Sequence, residues 1–135
     1  MKPVDMTTVH NPPESIGDCF RCCIASILEL PADQVPHVYE GEGWFDETGR
    51  VGMKRLRDWL ATIGFYYFEF ELPADKVDEW VDGFDCHYII SGMGARGVRH
   101  VCVGFSGKIV HDPHPSRSGI EPDNGKFLLG LICKR

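Results

Sequence analysis

At 135 residues the chain has the length of one domain, and 1–135 is read as a single unit with one core. A hydrophobic fraction of 43% beside 25% charged residues belongs to an ordered globular protein and excludes a largely disordered one. The net charge of −6 repels phosphate backbones, which argues against a general nucleic-acid binder.

Residues 1–17 are polar, carry Pro3, Pro12 and Pro13, and read as an extended lead-in with no apolar leader segment. Asp18 to Leu30 is predicted as a helix, with Asp18 as N-cap and Pro31 ending the run. Its apolar arc holds Phe20, Cys23, Ile24, Ile27, Leu28 and Leu30, with Arg21, Ala25 and Glu29 pointing away. Cys19 sits at the edge of that arc in the first turn. Residues 31–49 are rich in proline, glycine and acids and read as a loop. Met53 to Ile63 repeats apolar residues at Leu56, Trp59, Leu60 and Ile63, a second helix with Gly64 as C-cap.

From Phe65 the period changes to that of strands. Strands are predicted over 65–72, 86–91, 99–105, 108–111 and 127–133, with a short acidic helix over 73–81. GMGARG, from Gly92 to Gly97, reads as a flexible loop. Its glycines open no helix, so the geometry of a phosphate loop is missing. Ser106-Gly107 is a hairpin turn. Helices first and antiparallel strands after give an α+β order.

The six cysteines, Cys19, Cys22, Cys23, Cys86, Cys102 and Cys133, do not form a secreted disulfide framework. Apolar runs fall far short of a membrane span. A reduced, cytoplasmic protein with no membrane partner is expected. Between Glu71 and Asp85 six acids face only Lys76; they read as a solvated helix face, with a basic partner as the sharper alternative.

The chemistry concentrates on three residues. A thiol must become thiolate to attack a carbonyl, and a helix N-terminus favours the anion, so Cys19 is the candidate nucleophile with a lowered pKa expected. His100 opens a predicted strand that would hold a general base rigidly, and Asp112 follows the next strand of the same hairpin, within reach of the second imidazole nitrogen. Cys22 lies one turn on and is a weaker candidate, while Cys23 reads as core. A zinc site could draw on His87, His100, His111, Asp112, His114 and the cysteines, but no matched pair of CxxC motifs exists, and neither metal nor cofactor is expected.

Two blocks, GDCFRCCIASILELP over 17–31 and HVCVGFSGKIVHDPHP over 100–115, resemble the papain-like cysteine peptidase superfamily. The nearest subgroups are the peptidase-like domain of bacteriocin-processing transporters and small phage or prophage proteins. The resemblance implies a papain-like core, with the helix carrying Cys19 packed on an antiparallel sheet carrying His100 and Asp112. It also implies hydrolysis of a peptide or isopeptide bond in a peptide or protein substrate. That family places an oxyanion-hole Gln about six residues before the nucleophile; Pro13 stands there instead, which leaves Asn11 as the nearest side-chain amide. A deamidase, an acyl transferase or a binding module without turnover would use the same residues.

Overall fold

The computed structural model describes residues 1–40 and 49–135. Among these it holds three α-helices and a six-stranded sheet, a mixed α+β architecture. The helices are α1 (Cys19–Leu28), α2 (Arg50–Thr62) and α3 (Val77–Val81). The strands are β1 (Phe65–Pro73), β2 (His87–Gly94), β3 (Arg99–Phe105), β4 (Lys108–His111), β5 (Ile120–Glu121) and β6 (Lys126–Lys134). The sheet runs β1-β6-β2-β3-β4, with β5 added on β2, and its pairings are antiparallel. No helix among the described residues is long and apolar enough to cross a membrane.

Side chains alternate between the two faces of the sheet. Tyr67, Ile89 and Val103 meet Phe20, Cys23 and Ile24 of α1 and Leu56 and Leu60 of α2 on one face. Tyr88, Ile90, Cys102 and Leu129 meet Val77 and Val81 of α3 on the other. Two tyrosines press close on glycines, where any side chain would collide. A Cβ on Gly104 would sit 2.2 Å from the Tyr88 ring, and one on Gly130 would sit 2.1 Å from the Tyr67 hydroxyl.

Helix α1 ends where Glu29 enters the left-handed region at φ 57°, with Leu30 N–H returning to Ala25 O at 2.9 Å. Its start departs from expectation. Asp18 makes no side-chain cap. Its buried carboxylate turns instead to the lead-in, taking Thr7 N–H at 2.9 Å and Thr8 N–H at 3.1 Å. The lead-in is therefore a fixed arm. Lys2 N–H bonds Ser26 O, Val4 N–H bonds Ser26 Oγ, and Met6 N–H bonds Pro113 O, each at 2.9 Å. The arm covers α1 at Cys22 and Ser26, and Ala25, predicted to point away, is fully buried as well.

Strand β2 runs on through Gly92 and Gly94, so only residues 95–97 of the predicted glycine loop are a turn. The glycines serve close packing: a Cβ on Gly92 would lie 2.4 Å from Glu121 O of β5. The Ser106-Gly107 hairpin forms as expected, with both residues at positive φ, 47° and 81°. Residues 41–48 of the predicted 31–49 loop lie outside the described residues; the part before them contains a 3-10 turn at Ala32–Gln34.

Candidate active site

Cys19 is the first residue of α1 and is partly exposed. The first backbone bond of the helix runs from Cys22 N–H to Asp18 O at 3.0 Å. The N–H groups of Cys19, Phe20 and Arg21 therefore precede the ladder. One turn on, Cys23 Sγ donates to Val101 O at 3.6 Å, which lays α1 against β3 next to His100. Cys19 and His100 line one cleft of about 350 Å³. Phe20, Tyr39 and Tyr67 form an aromatic wall of it, and Glu69 adds a carboxylate. Tyr39 rests on Gly52 of α2, where a Cβ would come within 2.3 Å of its ring.

His100 and Asp112 come from the β3–β4 hairpin. The last pair of that ladder is Val103↔His111, so Asp112 continues beside the start of β3. His100 Nε2 and Asp112 Oδ1 are 2.6 Å apart and both residues are buried. That bond commits Nε2 and leaves Nδ1 for the cleft. The loop after Asp112 wraps its carboxylate. His114 N–H reaches Oδ1 at 2.9 Å and Gly119 N–H reaches Oδ2 at 2.7 Å. Arg117 donates to the Asp112 carbonyl and forks onto Asp5 at 2.7 and 2.9 Å, tying this loop to the arm. Burial pushes the Asp112 carboxyl up, but the bonds from His100, His114 and Gly119 outweigh it, and its pKa falls below the ordinary value.

The thiol of Cys19 moves against expectation. Burial pushes its pKa up; backbone hydrogen bonding at Val101 and Phe20 draws it partly back, and the Asp18 and Asp112 charges push it higher. Desolvation outweighs the backbone groups that favour the thiolate here. Among the described residues no hydrogen bond joins Cys19 to His100, although both face the cleft. Such bonds commonly tighten only when substrate is present.

The remaining candidates separate from the cleft. Cys22 is buried, donates to Asp5 O at 3.3 Å, and has its thiol pushed up to about 12 by burial. Asn11 is not among the residues lining the cleft, and its backbone closes a turn with Ser15. The neighbouring His10 lines the cleft in its place. His111 directs Nε2 to Val4 O at 2.9 Å, and His114 directs Nδ1 to Ser116 at 2.8 Å. Among the described residues, His100, Cys102 and Asp112 bring possible metal-ligating atoms within 4.8 Å of one another. Of these, His100 Nε2 and both Asp112 carboxylate oxygens already take part in hydrogen bonds. The acids between Glu71 and Asp85 are exposed and belong to the segment around α3, which packs on the sheet face turned away from α1.

Comparison with protein-family models, with curated proteins and with solved structures gave no match.

The sequence did not mark the arm, the Asp18 anchor, the Gly119 and His114 donors, or Cys102 beside Asp112. All but the His114 donor, two positions after Asp112, depend on partners seven or more positions away. The signal closest to hand was Gly17, whose Cβ would lie 2.8 Å from His10 Cβ.

Proposed function

We propose that this protein is a cysteine hydrolase of papain-like type that cleaves an amide bond through Cys19, His100 and Asp112. The observation that carries the reading is the shared cleft. A thiol at the first residue of a helix and an imidazole face it together, and the far nitrogen of the imidazole is held at 2.6 Å by a buried, wrapped carboxylate. Nucleophile, base and orienting group are the parts acyl transfer needs.

The raised thiol pKa shapes the mechanism. The resting nucleophile is a thiol, so His100 Nδ1 takes its proton as sulfur attacks the carbonyl carbon. Asp112 steadies the imidazolium through Nε2–H. The oxyanion forms beside the free N–H groups at the head of α1. Collapse breaks the C–N bond, the imidazolium returns its proton to the leaving amine, and a thioester remains on Cys19. Water, deprotonated by the neutral His100, then releases the acid and restores the thiol. The aromatic wall suits a peptide or protein segment with an apolar side chain next to the scissile bond.

A second reading has one observation in its favour. A thiol pushed up by burial suits a cleft that binds a partner without turnover, as a phage-type effector would. The two separate on p-nitrophenyl acetate. The hydrolase reading expects a stoichiometric p-nitrophenolate burst, an acetyl group on Cys19 by peptide mass spectrometry, steady turnover afterwards, and loss of all three in Cys19→Ala and His100→Ala. Wild-type protein that leaves Cys19 unacetylated would favour the binding module.

A further inference from the structure

The arm before α1 is built around one presentation. Asp18 takes the N–H groups of Thr7 and Thr8 and the Thr7 hydroxyl, and Thr8 Oγ1 donates to Ile16 O at 2.7 Å. Asn11 and Ser15 exchange backbone hydrogen bonds at 3.0 and 3.1 Å. These contacts close residues 7–18 into a loop with His10 between its two ties. Gly17 N–H then donates to His10 Nδ1 at 3.2 Å. An imidazole that accepts at Nδ1 carries its proton on Nε2 when neutral, so the free end of the ring is a donor. His10, Gly17 and Cys19 line the same cleft. Gly17 is what allows this approach, because a Cβ there would lie 2.8 Å from His10 Cβ and 3.3 Å from His10 N.

We propose that His10 is the side-chain donor of the oxyanion hole, its Nε2–H meeting the oxygen that gains charge when Cys19 attacks a carbonyl. The assignment rests on the hydrolase reading and adds the group that Asn11 does not supply. The backbone N–H groups at the head of α1 provide the other donors, and the Asp18 anchor fixes the arm between them. His10 makes no covalent bond and exchanges no proton with the substrate; it holds one hydrogen bond that is strongest at the tetrahedral stage.

Two reactions of the same thiol separate this role from a structural one. Acylation by p-nitrophenyl acetate passes through an oxyanion, whereas alkylation by iodoacetamide is a direct displacement at carbon and forms none. In the full chain, His10→Ala should slow acylation of Cys19 by about 10²-fold and leave its alkylation rate unchanged. His10→Gln, which restores an N–H donor, should recover part of the acylation rate. Gly17→Ala, which pushes the ring away, should reproduce the selective loss. Equal slowing of both reactions in His10→Ala would overturn the assignment and make His10 a support of the fold. Undiminished acylation in His10→Ala, with acylation still absent in Cys19→Ala, would also overturn it while leaving the hydrolase reading intact. Wild-type protein that is alkylated but never acylated would remove the hydrolase reading and the assignment with it.

Discussion

Replacing Asp112 by alanine should damage the fold as well as the chemistry. The carboxylate accepts His100 Nε2–H at 2.6 Å, Gly119 N–H at 2.7 Å and His114 N–H at 2.9 Å. Each donor stranded in a buried place costs about 1–3 kcal/mol. Water can enter the vacated space and serve some of them, so the low end applies, about 3–5 kcal/mol in all. For a chain of this length that lowers Tm by about 10–20 °C. Asp112→Asn keeps one accepting oxygen but turns an NH2 toward a donor, so it should lose about 1–3 kcal/mol. Its deficit should shrink in acid, and the sign can be worked out. The folded pKa of Asp112 is lowered from 3.8, so the ionised carboxylate stabilises the fold above that value and ceases to as pH falls through the folded pKa. Thermal unfolding followed by circular dichroism near neutral pH reads the first effect. Rates on p-nitrophenyl acetate, taken well below each Tm, read the second: alanine should slow acylation more than asparagine, and His100→Ala more than either. An alanine variant that melts with the wild type would refute the wrapped-carboxylate argument. One that melts early but acylates at the wild-type rate would take Asp112 out of the chemistry.

The alkylation rate of Cys19 with iodoacetamide should keep rising past the ordinary thiol value of 9.0, because burial raises its pKa; a plateau already reached near neutrality would show a preformed thiolate–imidazolium pair. Peptide mapping is needed, since the exposed Cys86 competes for reagent while Cys22, Cys23 and Cys102 are shielded. Asp18→Ala should free the arm, seen as rapid limited proteolysis within residues 7–17 that the wild type resists. Asp18 also has its pKa lowered from 3.8: burial raises it, but the Thr7 and Thr8 bonds outweigh that, so its contribution is present above 3.8 and lost as pH falls through the folded value. Urea midpoints should therefore fall below pH of about 4 in the wild type and less steeply in Asp18→Asn. Gly104→Ala should cost about 1–3 kcal/mol in urea titrations, because its Cβ would press within 2.2 Å of the buried Tyr88 ring, whose hydroxyl is held by Gly107 N–H at 3.0 Å.

Local chemistry was the readable part of the fold. The Ser106-Gly107 hairpin and the stop after α1 follow from turn residues that act on their immediate neighbours. The second helix begins at Arg50, before the predicted Met53, because its first turn carries little of the apolar period. The glycines of 92–97 look like a loop because the contact of Gly92 with Glu121 lies beyond any local window. Asp18 looks like a cap from the residues that follow it, yet its partners lie 10 and 11 positions before it. The same distance in sequence hid the burial of Ala25. At the cleft, the sequence named Cys19, His100 and Asp112 by type and order, and the structure brings Cys19 and His100 to one cleft with Asp112 on the imidazole. The expected lowering of the Cys19 pKa has the wrong sign, because the helix terminus is visible in a sequence and desolvation by burial is not.

Strand β6 is the last element in the chain, yet it lies inside the sheet, between β1 and β2. It pairs with β1 along its whole length, from Phe65↔Lys134 to Pro73↔Lys126, and with β2 through Ile89↔Gly130 to Ser91↔Leu128. Until it arrives, the half of the molecule holding α2 and β1 has no ladder to the half holding His100 and Asp112. During synthesis those two parts wait, each with an open strand edge, and joining them means closing chain segments of some sixty residues, which is slow. Because α1 packs directly on β3, Cys19 and His100 can meet before β6 arrives, whereas Tyr67 and Glu69 of β1 are laddered to that cleft only through β6. Assembled in this order, the cleft lacks its β1 wall until β6 has paired.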